Sequence, residues 1–340
     1  MKIDIARQPL VPAFMTLFAL AVAAMCAGIP VSDTSGAVRD ALPLLGGQLA
    51  RFQAAYPVWS KFAAGFMLLF TGMCAGRITI RYNLYTVGTC LPIPLYAIVA
   101  CGIATGGNYL AGFAASMLLA LATKNYCRAF CNGYGFDAIF RASLYLGLMP
   151  LVYAPGLPML LLLPLAVLLF RRTLREVAVA TAGLLLPVFT ACYVSWGMGD
   201  EFTAPVMTLA DALVSGVPLW IFKGLPLPSL VMLCVIAALA LTALLFFLSD
   251  IYAAGTKPRF ILIFNTGILA MTLALLCTPS VTPEAFTLTA VPAALLFPVF
   301  FVRIDRRIAL PVYLILLAAS VYIATLQSVS YTHLTLPTIR

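Results

Sequence analysis

Long apolar runs recur from near the start of this chain almost to its end, separated by short breaks that hold nearly all of its charge. A run of about 20 apolar residues is long enough to cross a hydrocarbon layer ~30 Å thick. Such runs lie at roughly 9–29, 61–76, 88–104, 109–123, 138–153, 156–170, 177–197, 226–248, 260–278, 285–302 and 308–326. They predict an all-α fold, a polytopic transmembrane helix bundle with about eleven spans. The composition agrees: charged residues make up 9% and mean hydropathy is +1.07, whereas about a quarter of the residues in a soluble domain are charged. The fourth and sixth runs, near 15 residues, need local thinning of the bilayer or snorkelling of Lys124 and Arg171 to reach across.

A net charge of +9 would suggest nucleic-acid binding in a soluble domain, so the placement of the cations matters. If the N-terminus is cytoplasmic, the alternating loops put fifteen cations inside: Lys2, Arg7, Arg77, Arg81, Lys124, Arg128, Arg141, Arg171, Arg172, Arg175, Lys257, Arg259, Arg303, Arg306 and Arg307. Four, Arg39, Arg51, Lys61 and Lys223, fall outside. That asymmetry is a positive-inside signal and removes the need for a nucleic-acid partner. It also keeps the apolar stretch 202–222 from spanning, because an extra crossing would move Lys257, Arg259 and the RIDRR cluster outside. We place that stretch at the outer interface or in a re-entrant hairpin, with Asp211 facing water or protein. The first run carries Cys26, but Met25 is too bulky for lipoprotein processing, so an uncleaved first helix is expected. In the outer loop 30–60, Leu42, Leu45, Leu49, Phe52 and Tyr56 follow helical spacing. They predict helix lying on the membrane surface, broken into two pieces by Pro43 and Gly46–Gly47.

The chain closes on VSYTHLTLPTIR, 329–340. Its first ten residues resemble the conceptual translation of a transposon-based sequencing adapter. The resemblance implies that residues 1–328 form a single integral membrane domain and that 329–340, with His333 and Arg340, are not native. Without His333 no histidine remains, and zinc hydrolase, Ser-His and Cys-His chemistry lose a ligand or base. Cys127 and Cys131 stand one turn apart, too few ligands for a metal, and read as packing residues; no metal, cofactor or structural disulfide is expected.

Polar features within the apolar frame are sparse. Arg171, Arg172 and Arg175 lie between two runs, with Arg171 and Arg175 expected on one helix face and Glu176 opening the next helix. Topological anchoring against lipid phosphate accounts for such a cluster, and a docking site for the pyrophosphate of a polyprenyl-linked precursor is the sharper reading. Asn265 and Thr266 predict interhelical hydrogen bonds, and Gly72 with Gly76 and Gly102 with Gly106 predict close helix approach. No acidic residue falls well inside a run, which argues against ion-coupled transport. Among the outer carboxylates, Asp33, Asp40, Asp200, Glu201, Asp211 and Glu284, the first two follow the first run. The plan resembles membrane glycosyltransferases that use polyprenyl-phosphate sugars, which would make Asp33 or Asp40 a candidate general base.

The stretch 136–189, with Tyr153 to Pro158, Arg171, Arg172, Arg175, Glu176 and the Gly183 to Pro187 run, resembles a family of functionally uncharacterised bacterial polytopic inner-membrane proteins. The resemblance implies a bacterial inner (cytoplasmic) membrane location and supplies no catalytic residues. The functional expectation is an accessory role in envelope or surface-polysaccharide biogenesis, with membrane lipids as partners. A polyprenyl-phosphate-sugar-dependent glycosyltransferase or polymerase and a lipid or precursor flippase are the alternatives.

Overall fold

A computed structural model describes residues 5–26, 44–103, 107–132, 135–214, 221–252, 255–278 and 280–332, with side chains described as far as 324. Among these residues the only regular structure is helical, in 13 α-helices joined by short 3-10 turns. They are α1 (Leu10–Cys26), α2 (Leu44–Ala55), α3 (Pro57–Tyr82), α4 (Pro92–Cys101), α5 (Tyr109–Asn132), α6 (Phe136–Val152) and α7 (Leu162–Leu169). There follow α8 (Leu174–Gly197), α9 (Ala204–Val214), α10 (Leu227–Ser249), α11 (Thr256–Leu275), α12 (Phe286–Arg303) and α13 (Arg306–Thr332). Six of them, α3, α8, α10, α11, α12 with its leading turn, and α13, are long and apolar enough to cross a membrane. The protein is therefore a helical membrane bundle. Each apolar run read from the sequence contains a helix, but the runs are not equivalent.

The run 88–104 contains only α4, ten residues long, or about 15 Å at 1.5 Å per residue. Every residue of α4 is buried. Pro92 and Pro94 suit a first helical turn, where their missing N–H groups have no intrahelical partner anyway. Irregular backbone next to such a helix is tolerated at membrane depth only inside protein, and α12 supplies that cover. Its apolar window is 89% buried, against 22% for α8 and 28% for α10. The core is thus α4 against α12, while α8 and α10 turn most of their surface outward. The run 156–170 is likewise broken, with a 3-10 stretch over Ala154–Leu161 before α7. Pro155 and Pro158 fall within that stretch, where their rings remove backbone donors.

Lipid is as apolar as leucine, so helices in it associate through close packing and polar contacts. Both occur here. A Cβ on Gly147 would overlap the backbone carbonyl of Leu184, and one on Gly183 would lie 2.8 Å from Phe140 O, so α6 and α8 cross nearly backbone to backbone. Gly72 and Gly76 let α3 approach Leu17 and Ile93, as their spacing predicts. Asn265 Nδ2 donates to Pro292 O at 2.9 Å across α11 and α12, the interhelical bond expected of it, whereas Thr266 turns back to Leu262 O in its own helix. The hydroxyls of Tyr96 and Ser116 meet at 2.6 Å between α4 and α5.

One expectation about the surface elements changes. Helix α2 runs unbroken through Gly46 and Gly47; of its stripe, Leu45 and Phe52 are exposed and Leu49 packs partly buried against the core, while Gly46 and Gln53 are buried. Gly46 is buried and Gly47 half-buried, and neither interrupts the helix. Within 202–222, α9 has 11 residues, too few to cross, and buries Leu209 against Leu151 and Ala154 while Asp211 stays exposed.

Candidate functional site

Helices α3 and α5 lie side by side and run in the same direction, α4 making the return crossing in the chain and packing on α3. Their beginnings are joined by the hydroxyls of Ser60 and Tyr109 at 2.6 Å. Their ends carry cations one turn apart, Arg77 and Arg81 on α3, Lys124 and Arg128 on α5. Residues four apart share a helix face, and here both faces turn toward one cavity of about 250 Å³, completed by Arg141 and Tyr145 from α6. Ile78, Tyr82, Leu121 and Asn125 make up the rest of its lining.

Five cations around one cavity repel each other, and like charges at this spacing destabilise a helix. Part of that cost is offset by the helix ends, because Arg81 lies in the last turn of α3, where unpaired carbonyls favour positive charge. Among the described residues only Arg141 of the five has a carboxylate within salt-bridge distance, Asp137 at 2.8 Å, and that pair is exposed. Arg81 also lies over the Tyr82 ring, 5.9 Å from its centroid.

A groove of about 520 Å³ adjoins the cavity, lined by Leu10, Phe70, Met73, Cys74, Gly76, Ile80 and Ile93 from α1, α3 and α4. Arg77, Arg81 and Lys124 line both spaces. Leu10, Phe70, Met73 and Ile80 are exposed, so the groove opens sideways from the bundle. A Cβ at Gly76 would run into the Ile93 side chain, so glycine sets how closely α3 seats on α4 along the groove. The lining of the cavity holds donors but no carboxylate, cysteine or serine. Such a set can hold an anion through arginine forks and a lysine point charge, and it offers no evident general base for transforming one.

Of the residues singled out from sequence, Asp33 and Asp40 lie outside the described residues, as do Gly106, His333 and Arg340. Arg172 is committed locally: Nη1 donates to Glu176 Oε1 at 3.1 Å, and Glu176 forms a capping box with Thr173 at the start of α8. Glu176 does open the helix, as expected. Arg171 sits in the preceding turn at φ +48° and so does not share a helix face with Arg175, although both are exposed. None of the three lines the cavity. Arg81, Arg172 and Lys257 are all within electrostatic reach of Cys131, and Arg303 pairs with Asp250, so these basic segments gather at the same end of the bundle. Cys127 is buried against Ala75 and Ile78, a packing position.

Two features were not found in the sequence. The five cavity cations were counted for topology but not recognised as a site, although the one-turn spacing of Arg77 with Arg81 and of Lys124 with Arg128 was visible. Glu284, read as a loop acid, is only 3% exposed. Its Oε1 accepts from Asn108 N–H at 2.9 Å, and its Oε2 is buried without a partner among the described residues. Close by, Gln53 donates through Nε2 to Gly107 O and accepts through Oε1 from Leu110 N–H at 3.4 Å. Tyr153 and Thr282 meet through their hydroxyls at 3.2 Å. This network joins α2, α5, the end of α6 and the turn before α12, at the end of the bundle opposite the cations. No family model, curated protein or solved structure matches the chain.

Proposed function

We propose that this is a multi-pass protein of the bacterial inner membrane, with about eleven crossings and a cytoplasmic N-terminus, that binds a phosphate-bearing lipid at its cytoplasmic face. Its role is accessory to envelope or surface-polysaccharide biogenesis. One observation carries the binding reading: five cations from three helices converge on a cavity that continues into a laterally open apolar groove. A charged headgroup and an apolar tail need that juxtaposition, and anchoring alone does not require it. The fifteen-to-four partition of cations supports the orientation, and the resemblance of 136–189 supports the choice of membrane.

The half-length, wholly buried α4 and the broken stretch over Ala154–Leu169 favour a second reading, a flippase for the same lipid, because discontinuous helices surround the sites of many transporters. The glycosyltransferase reading rests on Asp33 and Asp40 alone.

The test is lipid binding by the purified full chain in phosphatidylcholine nanodiscs. A phosphate-bearing lipid should bind to the wild type in preference to added zwitterionic lipid; equal binding would remove the proposal. Orientation is tested separately. A cysteine at position 173 should be labelled only from the cytoplasmic side, and one at 201 only from the opposite side. A time-resolved lipid-translocation assay in proteoliposomes separates the flippase from the binder.

A further inference from the structure

The cations of the site are arranged in two tiers. Arg77, Arg81 and Lys124 line both the apolar groove and the cavity, whereas Arg128 and Arg141 line the cavity alone. A chain lying in the groove would place its first polar group at the junction, among the three shared cations. A second anionic group, further from the chain, would fall among Arg128, Arg141, Asn125 and Tyr145.

We infer that the ligand is an isoprenoid diphosphate, one apolar chain carrying two phosphates in tandem, with the chain-bearing phosphate at the junction and the terminal phosphate in the cavity. The inference rests on the proposed lipid-binding function and specifies its substrate class. Charge supports it. Among the described residues the five cations have one carboxylate, Asp137, within salt-bridge distance. A phosphodiester headgroup carries about one negative charge at neutral pH and would leave most of this field unmatched, while a terminal phosphate has a second ionisation near pH 6. Chain number supports it too, because among the described residues one groove meets the junction, and a glycerolipid brings two chains. The forked arginine donors match phosphate oxygens two at a time.

The full-length protein in phosphatidylcholine nanodiscs would be titrated with geranylgeranyl diphosphate, geranylgeranyl monophosphate, phosphatidylglycerol and inorganic pyrophosphate, with occupancy read by native mass spectrometry. The diphosphate lipid should bind about tenfold more tightly than the monophosphate, the scale of one charge-assisted contact, and both more tightly than phosphatidylglycerol. The double variant Arg128→Gln, Arg141→Gln should bring diphosphate affinity down toward that of the monophosphate, a loss several times larger than the monophosphate suffers, with an unchanged melting temperature showing that the variant is folded. Arg77→Gln with Arg81→Gln should weaken both lipids. Phosphatidylglycerol binding as tightly as the diphosphate would overturn the inference and leave the lipid-binding function standing. Inorganic pyrophosphate matching the diphosphate lipid would overturn it by making the groove irrelevant. If no anionic lipid is preferred over phosphatidylcholine, the proposed function itself fails.

Discussion

The two ends of the bundle handle polarity in opposite ways. At the basic end, Arg77, Arg81, Lys124, Arg128 and Arg141 surround an open cavity, and only Arg141 has a carboxylate within salt-bridge distance among the described residues. At the other end, Gln53 and Glu284 are each 3% exposed and hold backbone groups of Gly107, Leu110 and Asn108. A buried, hydrogen-bonded network raises stability because breaking it strands desolvated groups. A set of converging like charges lowers it. One end is organised to hold the fold, and the other keeps an unfavourable arrangement that an anion would relieve.

If that contrast is right, substitutions at the two ends should separate stability from binding. The largest loss of stability is expected for Gly112→Val, whose Cβ would already lie 3.0 Å from Glu284 Cβ and 3.1 Å from Glu284 O. Overpacking of this kind costs about 1–3 kcal/mol, and crowding Glu284 off Asn108 puts this case toward the top of that range. Thermal melting in detergent measures it, with lipid affinity expected to survive in the fraction that stays folded. Glu284→Ala should follow, at about 1–3 kcal/mol for a buried N–H left without its acceptor. Glu284→Gln should recover most of that loss, since an amide oxygen can still accept from Asn108 N–H.

Weaker effects sharpen the contrast from the basic side. Arg77→Gln with Arg81→Gln removes one like-charge pair and should raise stability slightly, by ~0.2–0.5 kcal/mol, visible as a small rise in melting temperature at low salt that fades as salt is added. The smallest change belongs to Asp137→Asn. Losing its exposed bond to Arg141 should cost ~0–1 kcal/mol, while lipid affinity rises modestly because a negative charge beside the cavity is gone. A fall in affinity would instead make Asp137 part of the binding surface.

The sequence made most of the helices legible because all but α2 and α9 coincide with one of the apolar runs, but it left their depth and surroundings open. Hydropathy does not distinguish a lipid-facing crossing from a short helix enclosed by protein, so α4 reads like α10 although one is wholly buried and the other mostly exposed. The proline pair 92 and 94 and the glycine at 102 were the available hints. The stripe on α2 was seen, but in a membrane an apolar face need not point to protein, and Gly46 with Gln53 takes that side. Glu284 looked like a loop acid because it follows Pro283; its burial depends on Gly112 and Asn108, some 170 residues earlier in the chain. The basic site follows the same logic. Its charges were visible one by one, while their convergence needs α3 and α5 to pack side by side and run parallel, with α4 making the return between them in the chain.

The account is tested most directly by comparing two variants in one binding experiment. Wild type, the triple variant Arg77→Gln, Arg81→Gln, Lys124→Gln, and Glu284→Ala would each be placed in phosphatidylcholine nanodiscs and titrated with an isoprenoid phosphate lipid below their melting temperatures. The triple variant should lose about a hundredfold or more in affinity, the scale of two or more charge-assisted contacts, with its melting temperature unchanged or higher. Glu284→Ala should melt earlier and bind as the wild type does. Undiminished binding by the triple variant, or a loss of affinity in Glu284→Ala equal to that of the triple variant, would contradict the division of labour between the two ends.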